Sequence, residues 1–335
     1  MSQKLKTITR RTEFYVGIVV VLLCIAIQAI SGQFFTGNNI VDLIRSFSVP
    51  AIFCVGEMFV LISGGTDVSF PAIASMSMYL VCTRLPGNLN PLVYFALAML
   101  IGLVAGAING VIIGHFKFNA LIVTLGTSSI YFGIMQGVLK AREIELNDSL
   151  YQVGRIKLFT ATNPASGLSS DMPIAALIMV AALLLGWFIL NKTMIGRGIY
   201  AIGGDAKAAA RAGYNVFGIK MFIYCLSGCL AGLAGVLRVT MLLAVHPNNL
   251  SGMEMTVIAA CVLGGVRITG GKGTILGVVL GMALLTIMSN SLILLGISTE
   301  WQKVFTGAII IIGTATSAIQ NKKSQKKLAV KLANS

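Results

Sequence analysis

Apolar runs close to bilayer length recur along nearly the whole chain, and this limits the fold more than any other feature. A helix needs about 20 apolar residues to cross a hydrocarbon core of about 30 Å. Runs near that length, several of them full length, occupy 14–31, 48–63, 70–83, 92–113, 120–139, 172–190, 219–240, 253–266, 274–293 and 303–319. They predict an all-α, polytopic transmembrane helix bundle with about ten spans. The runs at 70–83 and 253–266 are short. Each is a half-helix or enters from one side only, which membranes tolerate where surrounding protein satisfies the backbone. With 56% hydrophobic and 11% charged residues, the chain has too little polar surface for a soluble core of this size. The expected organisation is a basic tail over 1–13, a transmembrane domain over 14–319 and a second basic tail over 320–335.

Charge sets the expected orientation. Placing the N-terminus in the cytoplasm puts most of the 25 basic residues inside, among them Lys4, Lys6, Lys117, Arg197, Lys207, Arg211, Arg267, Lys272 and Lys322. The acids lean outward, at Asp42, Glu143, Glu145, Asp148, Asp171 and Glu300. This positive-inside alternation requires an even number of spans, so both termini are expected in the cytoplasm. The net charge of +14 sits in short loops and tails beside spans, which fits contact with anionic membrane lipid and argues against nucleic acid. The basic start followed by an apolar run lacks a small-x-small cleavage site, so an uncleaved first helix is expected.

Glycine spacing predicts close helix packing. Gly102, Gly106, Gly110 and Gly114 recur every four residues along one face of the fourth run. Gly273, Gly277 and Gly281 repeat the pattern, as do Gly228 and Gly232. Bare faces of this kind let backbones approach closely in lipid. The six cysteines lie in apolar stretches and read as buried thiols. Cys225 and Cys229 lack the His or carboxylate partners that a metal site requires.

Two acidic positions demand an account. Glu57 sits in the middle of an apolar run, where an ionised carboxylate costs about 2.5–3.5 kcal/mol on insertion scales. It either faces a cavity or partner, or is protonated and hydrogen-bonded to a neighbouring helix. Asp67 lies in Gly64-Gly65-Thr66-Asp67-Val68-Ser69-Phe70-Pro71, between two apolar runs. The glycines permit a sharp backbone break, and Asp67 or Ser69 can cap the following helix with Pro71 in its first turn. The other reading is a broken helix beside a pathway. On the inner side, the loop at about 191–218 contains Gly203-Gly204-Asp205-Ala206-Lys207-Ala208-Ala209-Ala210-Arg211-Ala212-Gly213. Asp205 as N-cap, the alanines and a left-handed Gly213 predict a short complete helix, either a docking element or a solvated connector.

Enzymatic chemistry finds no foothold. His115 and His246 fall on opposite sides of the membrane in this topology, and no nucleophile has a visible base. The stretch Gly264–Thr274 approaches a phosphate-binding loop but fails it. Val266 replaces the first glycine and Gly273 follows Lys272 where Ser or Thr is required.

Several motifs together carry a resemblance. They are Phe34-Phe35-Thr36-Gly37-Asn38-Asn39-Ile40, the Gly64–Ser69 stretch, Asn119-Ala120-Leu121-Ile122-Val123-Thr124-Leu125-Gly126, Gly203 to Val216, and Gly264-Gly265 with Gly270 to Gly273. Over nearly its full length the chain resembles the membrane permease subunits of ribose-type sugar ATP-binding-cassette importers. It departs from that family's pattern at Glu57, usually uncharged, at Phe70-Pro71, and at Asp205, Ala212 and Tyr214. The resemblance implies a permease of a bacterial inner membrane, working with a second permease subunit, an extracytoplasmic solute-binding protein and a cytoplasmic ATPase. That partner would use the ATP, and this chain would bind no cofactor or metal. It further implies a pathway or gate at Glu57, Gly64, Gly65, Asp67, Ser69, Asn119 and Thr124, and ATPase coupling at Gly204, Asp205, Ala208, Ala209 and Gly213. Two other readings stay open on sequence: a permease for amino acids or another small polar solute, and a proton-coupled transporter with Glu57 as relay.

Overall fold

The computed structural model describes residues 12–298 together with 301, 304, 307, 308 and 311. The expected span at 303–319, apart from those isolated positions, and both basic tails, apart from Thr12 and Glu13, lie outside the described residues. The helices are α1 (Thr12–Ser31), α2 (Gly37–Ile62), α3 (Phe70–Arg84), α4 (Pro91–Gly114) and α5 (Ala120–Gly133). A π-helical turn over Ile134–Val138 extends α5. Then follow α6 (Asp148–Arg155), α7 (Ala175–Lys192), α8 (Met194–Gly204), α9 (Ala206–Arg211), α10 (Val216–Leu242), α11 (Met253–Leu263) and α12 (Ile275–Leu294). Among the described residues, 7 helices are long and apolar enough to cross a bilayer, counting α5 with its π turn.

Sequence and structure differ at two places, each for a visible reason. The run at 48–63 is only the inner part of α2, because Asn38, Asn39, Asp42 and Arg45 mask its first turns from a hydropathy reading. The run at 172–190 begins too early, since Ser169–Pro173 is a β-strand and α7 starts at Ala175. The short runs are short helices: α3 has 15 residues and α11 has 11.

Two small antiparallel sheets decorate the bundle. Strands β1 (Ile144–Glu145) and β4 (Ala244–Val245) pair, and β2 (Lys157–Thr162) pairs with β3 (Ser169–Pro173). In the second hairpin the hydroxyl of Thr160 donates to Asp171, and Lys157 lies 3.5 Å from the same carboxylate. These contacts hold the Asp171 carboxyl below its ordinary range, the Thr160 hydrogen bond contributing most. The sheets, α6 and the 85–90 turn share one face of the bundle. The opposite face collects the start of α1, the α2–α3 connection, α8, α9 and the 264–274 turn. There Thr274 Oγ1 donates to Glu13 Oε1 at 2.9 Å, and Gly271 N–H to the Ile62 carbonyl at 2.8 Å.

Helix α10 is the hub, packing on α2, α3 and α4. Its contact with α4 is backbone on backbone. A Cβ built on Gly102 would fall 2.1 Å from the Gly228 carbonyl oxygen, and one on Gly228 would fall 2.1 Å from that of Gly102. Gly106 meets the Tyr224 carbonyl and Gly232 that of Ala98, both again at 2.1 Å. Farther along the stripe the contact changes character: Gly110 faces Met221 and Gly114 faces the ring of Phe217. A second such pair joins α11 to α12, where a Cβ built on Gly277 would fall 2.0 Å from the Gly264 carbonyl oxygen and one on Gly281 2.1 Å from that of Ala260. Gly273 abuts the side chain of Ile62. At the outside of the bundle, α1 and much of α5 present bare apolar side chains such as Leu22, Ile30, Ile122 and Ile130, as lipid contact requires.

Any side chain at Gly102 must therefore push two backbones apart, and overpacking of this kind costs about 1–3 kcal/mol or more. Gly102→Val is expected to lower the thermal unfolding midpoint in detergent or abolish accumulation. Gly126→Ala, whose Cβ would have no neighbour within 4 Å, should leave the midpoint unchanged.

Candidate functional site: a buried break between two helices

The chain leaves α2 at Ile62 and does not start α3 until Phe70. Gly64 takes φ +84°, a left-handed conformation that glycine adopts without strain, and its neighbour Gly65 lies under the Tyr224 hydroxyl. The segment then folds back along α2, so that the Asp67 N–H reaches Glu57 Oε1 at 3.3 Å. Glu57 lies five residues before Ile62, which puts Asp67 about 8 Å inside the end of α2. Helix α3 consequently starts inside the bundle, and 15 residues suffice to carry it to the sheet-bearing face.

A break at that depth exposes backbone groups where no water is available, so side chains must satisfy them. Glu57 of α2 and Thr124 of α5 do so directly, while α4 and α10 bond the side chains of the break. Asp67 Oδ1 accepts from the Ser69 N–H at 2.7 Å and from the Ser69 hydroxyl at 2.6 Å. Asn109 of α4 donates its amide to Ser69 Oγ at 2.8 Å. Thr124 of α5 accepts the Val68 N–H at 3.3 Å, and its hydroxyl faces the carbonyls of Ala120 at 2.9 Å and Thr66 at 3.3 Å. Ser227 of α10 reaches Asp67 Oδ2 at 3.5 Å. Glu57, Ser69, Asn109 and Thr124 are 0% exposed and Asp67 is 1% exposed, so the cluster is enclosed within one chain.

Asp67 thus forms a local turn onto Ser69, while Ser69 occupies the N-cap position of α3 without a side-chain cap bond. The capping role expected of Ser69 is absent because its hydroxyl is engaged by Asp67 and Asn109. Among the described residues neither Glu57 nor Asp67 has an ion pair. Glu57 Oε2 and Asn109 Oδ1 are buried with no hydrogen-bond partner. Among the described residues no three His, Cys, Asp or Glu side chains gather into a possible metal site.

Of the pathway residues expected from sequence, Glu57, Gly65, Asp67, Ser69 and Thr124 meet at this cluster. Gly64 is exposed at its edge and Asn119 stands apart. Asn119 caps α5 at the bundle surface, its Oδ1 accepting from Leu121 N at 3.0 Å. Sequence reasoning missed Asn109, Ser227 and Tyr224. The available signal was position: Asn109 precedes Gly110 and Ser227 precedes Gly228, so each rides on a helix face that glycine brings close. Gly56 does the same on α2, where a Cβ would lie 3.1 Å from Ser227 Oγ.

The second expected element is α9. Asp205 caps it, accepting from Lys207 N at 2.8 Å and Ala208 N at 3.0 Å. Gly213 ends it with φ +89°. Gly204, Asp205, Ala208 and Gly213 are exposed, whereas Ala209 turns inward. The face carrying α9 also carries the break. Gly203 at the end of α8 lies against Ile62, where a Cβ would fall 1.7 Å from the carbonyl oxygen, and Gly270 lies against Gly203. A rigid glycine contact therefore joins α8 and α9 to the end of α2.

Residues 39–314 match the family described as branched-chain amino acid transport system, permease component. The chain belongs to that family. It is 33% identical to the ribose import permease protein of Escherichia coli (strain K12) over 92% of this chain and 93% of that protein. To the ribose import permease protein of Bacillus subtilis (strain 168) it is 30% identical over 96% of this chain and 99% of the relative. The autoinducer 2 import system permease protein of Photorhabdus luminescens is 29% identical over 97% of each chain. No solved structure gives a significant match. The matched region of this permease contains the whole buried cluster and α9.

Glu57 serves the break as a hydrogen-bond acceptor, and this role separates two substitutions. Glu57→Gln keeps an oxygen for the Asp67 N–H and should change the unfolding midpoint of the permease little. Glu57→Leu leaves that N–H unpaired and is expected to cost about 1–3 kcal/mol, read as a lowered midpoint. Equal midpoints for the two variants would remove Glu57 from the support of the break.

Proposed function

We propose that this chain is the membrane-spanning permease subunit of an ATP-binding-cassette importer that carries a monosaccharide or similar small polar solute into the cytoplasm. The observation that carries the reading is a near full-length relationship, 33% identity over 92% of the chain, to a ribose import permease. The autoinducer 2 import permeases among its relatives support the wider reading of a small hydroxylated solute over a pentose alone.

In this reading a separate cytoplasmic ATPase supplies the energy, an extracytoplasmic binding protein delivers the solute, and a second permease subunit completes the pathway. Helix α9 is the docking element for the ATPase. It is short, capped at both ends and exposed on the face rich in basic residues, which the positive-inside rule assigns to the cytoplasm. Gly204, Asp205, Ala208 and Gly213 offer the contact surface, and Ala209 packs α9 onto its own subunit. A push on α9 then passes through α8 and Gly203 to Ile62 and the α2–α3 break. The Glu57–Asp67 cluster would hold the gate's shape, with its side chains turned away from the solute.

Ala208 is the sharpest probe, because its side chain leaves the fold and meets the partner. Ala208→Trp should leave the permease folded and leave solute capture by the binding protein intact. Uptake into vesicles containing the assembled importer is expected to fall at least about tenfold, since a bulky side chain misplaces the docking surface. Uptake at the level of the unsubstituted protein would end the docking role of α9.

A further inference from the structure

Helix α6 is fixed on one side and bare on the other. Its inner side is clamped to the body. Leu150 is 0% exposed, the Ser149 hydroxyl donates to the Gly87 carbonyl at 2.9 Å, and a Cβ on Gly154 would fall 2.2 Å from the Thr240 carbonyl oxygen of α10. Its outer side carries Asp148, Tyr151, Gln152 and Arg155, all exposed. These positions are spaced i, i+3, i+4 and i+7, so they form one stripe along the helix. An acid begins the stripe and a base ends it, with the Arg155 guanidinium 5.9 Å from the Tyr151 ring centroid. Asp148 and Arg155 lie about 10 Å apart along the axis, too far to pair with each other. Among the described residues neither makes an ion pair.

The surroundings extend this polarity. Glu145 of β1, also exposed and without an ion pair among the described residues, stands three residues before Asp148. At the other end Arg155 lines a cleft of about 340 Å³ together with Arg45 of α2, Lys157 of β2 and Asp171 of β3. Three cations there meet one carboxylate, which Thr160 and Lys157 already engage. The walls of the cleft are firmly placed. Arg45 Nη2 donates to the Met241 carbonyl at 2.9 Å, and Arg155 directly follows the backbone contact at Gly154. Leu243, also in the wall, has φ +56°, a left-handed conformation that costs a leucine strain. The positive-inside rule assigns this sheet-bearing face to the outside, so a gathering of cations here runs against the bias that orients the chain.

We propose that α6 packs antiparallel on α6 of a second copy of this chain, the acidic end of each helix seated at the basic cleft of the other. A two-fold axis through the middle of the stripe sets Asp148 of each copy opposite Arg155 of the other, with Tyr151 and Gln152 at the axis. Such a contact is isologous, so one surface satisfies both of its charged ends and the symmetry closes. The antiparallel helix dipoles attract as well. The inference deepens the pairing with a second permease subunit proposed above and names that subunit as a copy of this chain. The second copy is the partner whose charges are known, and they match.

The test reads the contact directly, in membranes holding the full-length permease. Gln152→Cys places a thiol beside the two-fold axis, and mild oxidation should link two copies into a covalent dimer. The unsubstituted chain, with its six free cysteines, should give no such product. In the Gln152→Cys background, Asp148→Lys or Arg155→Glu alone sets like charges opposite each other at both ends of the contact. Each should cut the dimer yield at least about tenfold at an unchanged unfolding midpoint. Both substitutions in one chain restore opposite charges and should recover most of the yield, a rescue expected only where the chain meets itself. No covalent dimer from Gln152→Cys, or a double variant no better than the single ones, overturns the proposal. So does a loss of binding-protein capture in the single variants with the dimer yield unchanged, which gives the surface to the binding protein. The link forms without sugar, ATP or the ATPase, so a chain that carries no sugar defeats the importer reading and leaves the contact standing.

Discussion

Inside a bilayer an unpaired backbone group has no water to turn to, and the interruption between α2 and α3 has to be reconciled with that fact. The chain stops being helical over residues 63–69 and folds back to the depth of Glu57. Its freed N–H groups are received by Glu57, Asp67 and Thr124, while Ser227 bonds the side chain of Asp67 and Asn109 that of Ser69. Each of these residues comes from a different element. The break is therefore stable only when α2, α4, α5 and α10 are in their present positions, and movement of any of them disturbs it. Removing any one of these side chains leaves a buried polar partner unmatched, so the cluster ties the four helices to the break.

Close approach of the helices makes that cluster possible. Asn109 and Ser227 have short side chains and reach the break only because Gly106, Gly228 and Gly56 bring the backbones of α4, α10 and α2 nearly into contact. The glycine stripe and the polar cluster are two halves of one arrangement, since dispersion between bare backbones holds the helices at the spacing the hydrogen bonds need. The same economy of space recurs on the basic face, where Gly203 seats α8 directly on the Ile62 carbonyl. Through that contact α9, Gly270 and Gly271 are packed onto the end of α2 beside the break.

Much of this was legible in the sequence, and the exceptions have physical causes. Hydropathy located the membrane helices because bilayer length is a strong filter, and the capping residues Asp205 and Gly213 placed α9 correctly. Hydropathy missed the first turns of α2, since Asn38 to Arg45 lie at a polar interface. It also absorbed the end of β3 into α7. The Gly64–Ser69 stretch identified itself through its glycines. Asn109 and Ser227 did not, because a single polar residue in an apolar helix acquires meaning only from what stands opposite it.

The buried position of Glu57, bonded to the backbone of the break, fits a supporting acceptor better than a proton carrier, which needs a route to water on both sides. Under the proposed docking of α9, energy for transport enters from the face that carries it. The most direct measurement is uptake of radiolabelled sugar by proteoliposomes holding the permease with its binding protein, with and without the partner ATPase, in the presence of a protonophore. The account predicts uptake that requires the ATPase and ATP and is indifferent to the protonophore. Uptake that persists without the ATPase and collapses when the proton gradient is dissipated would contradict it.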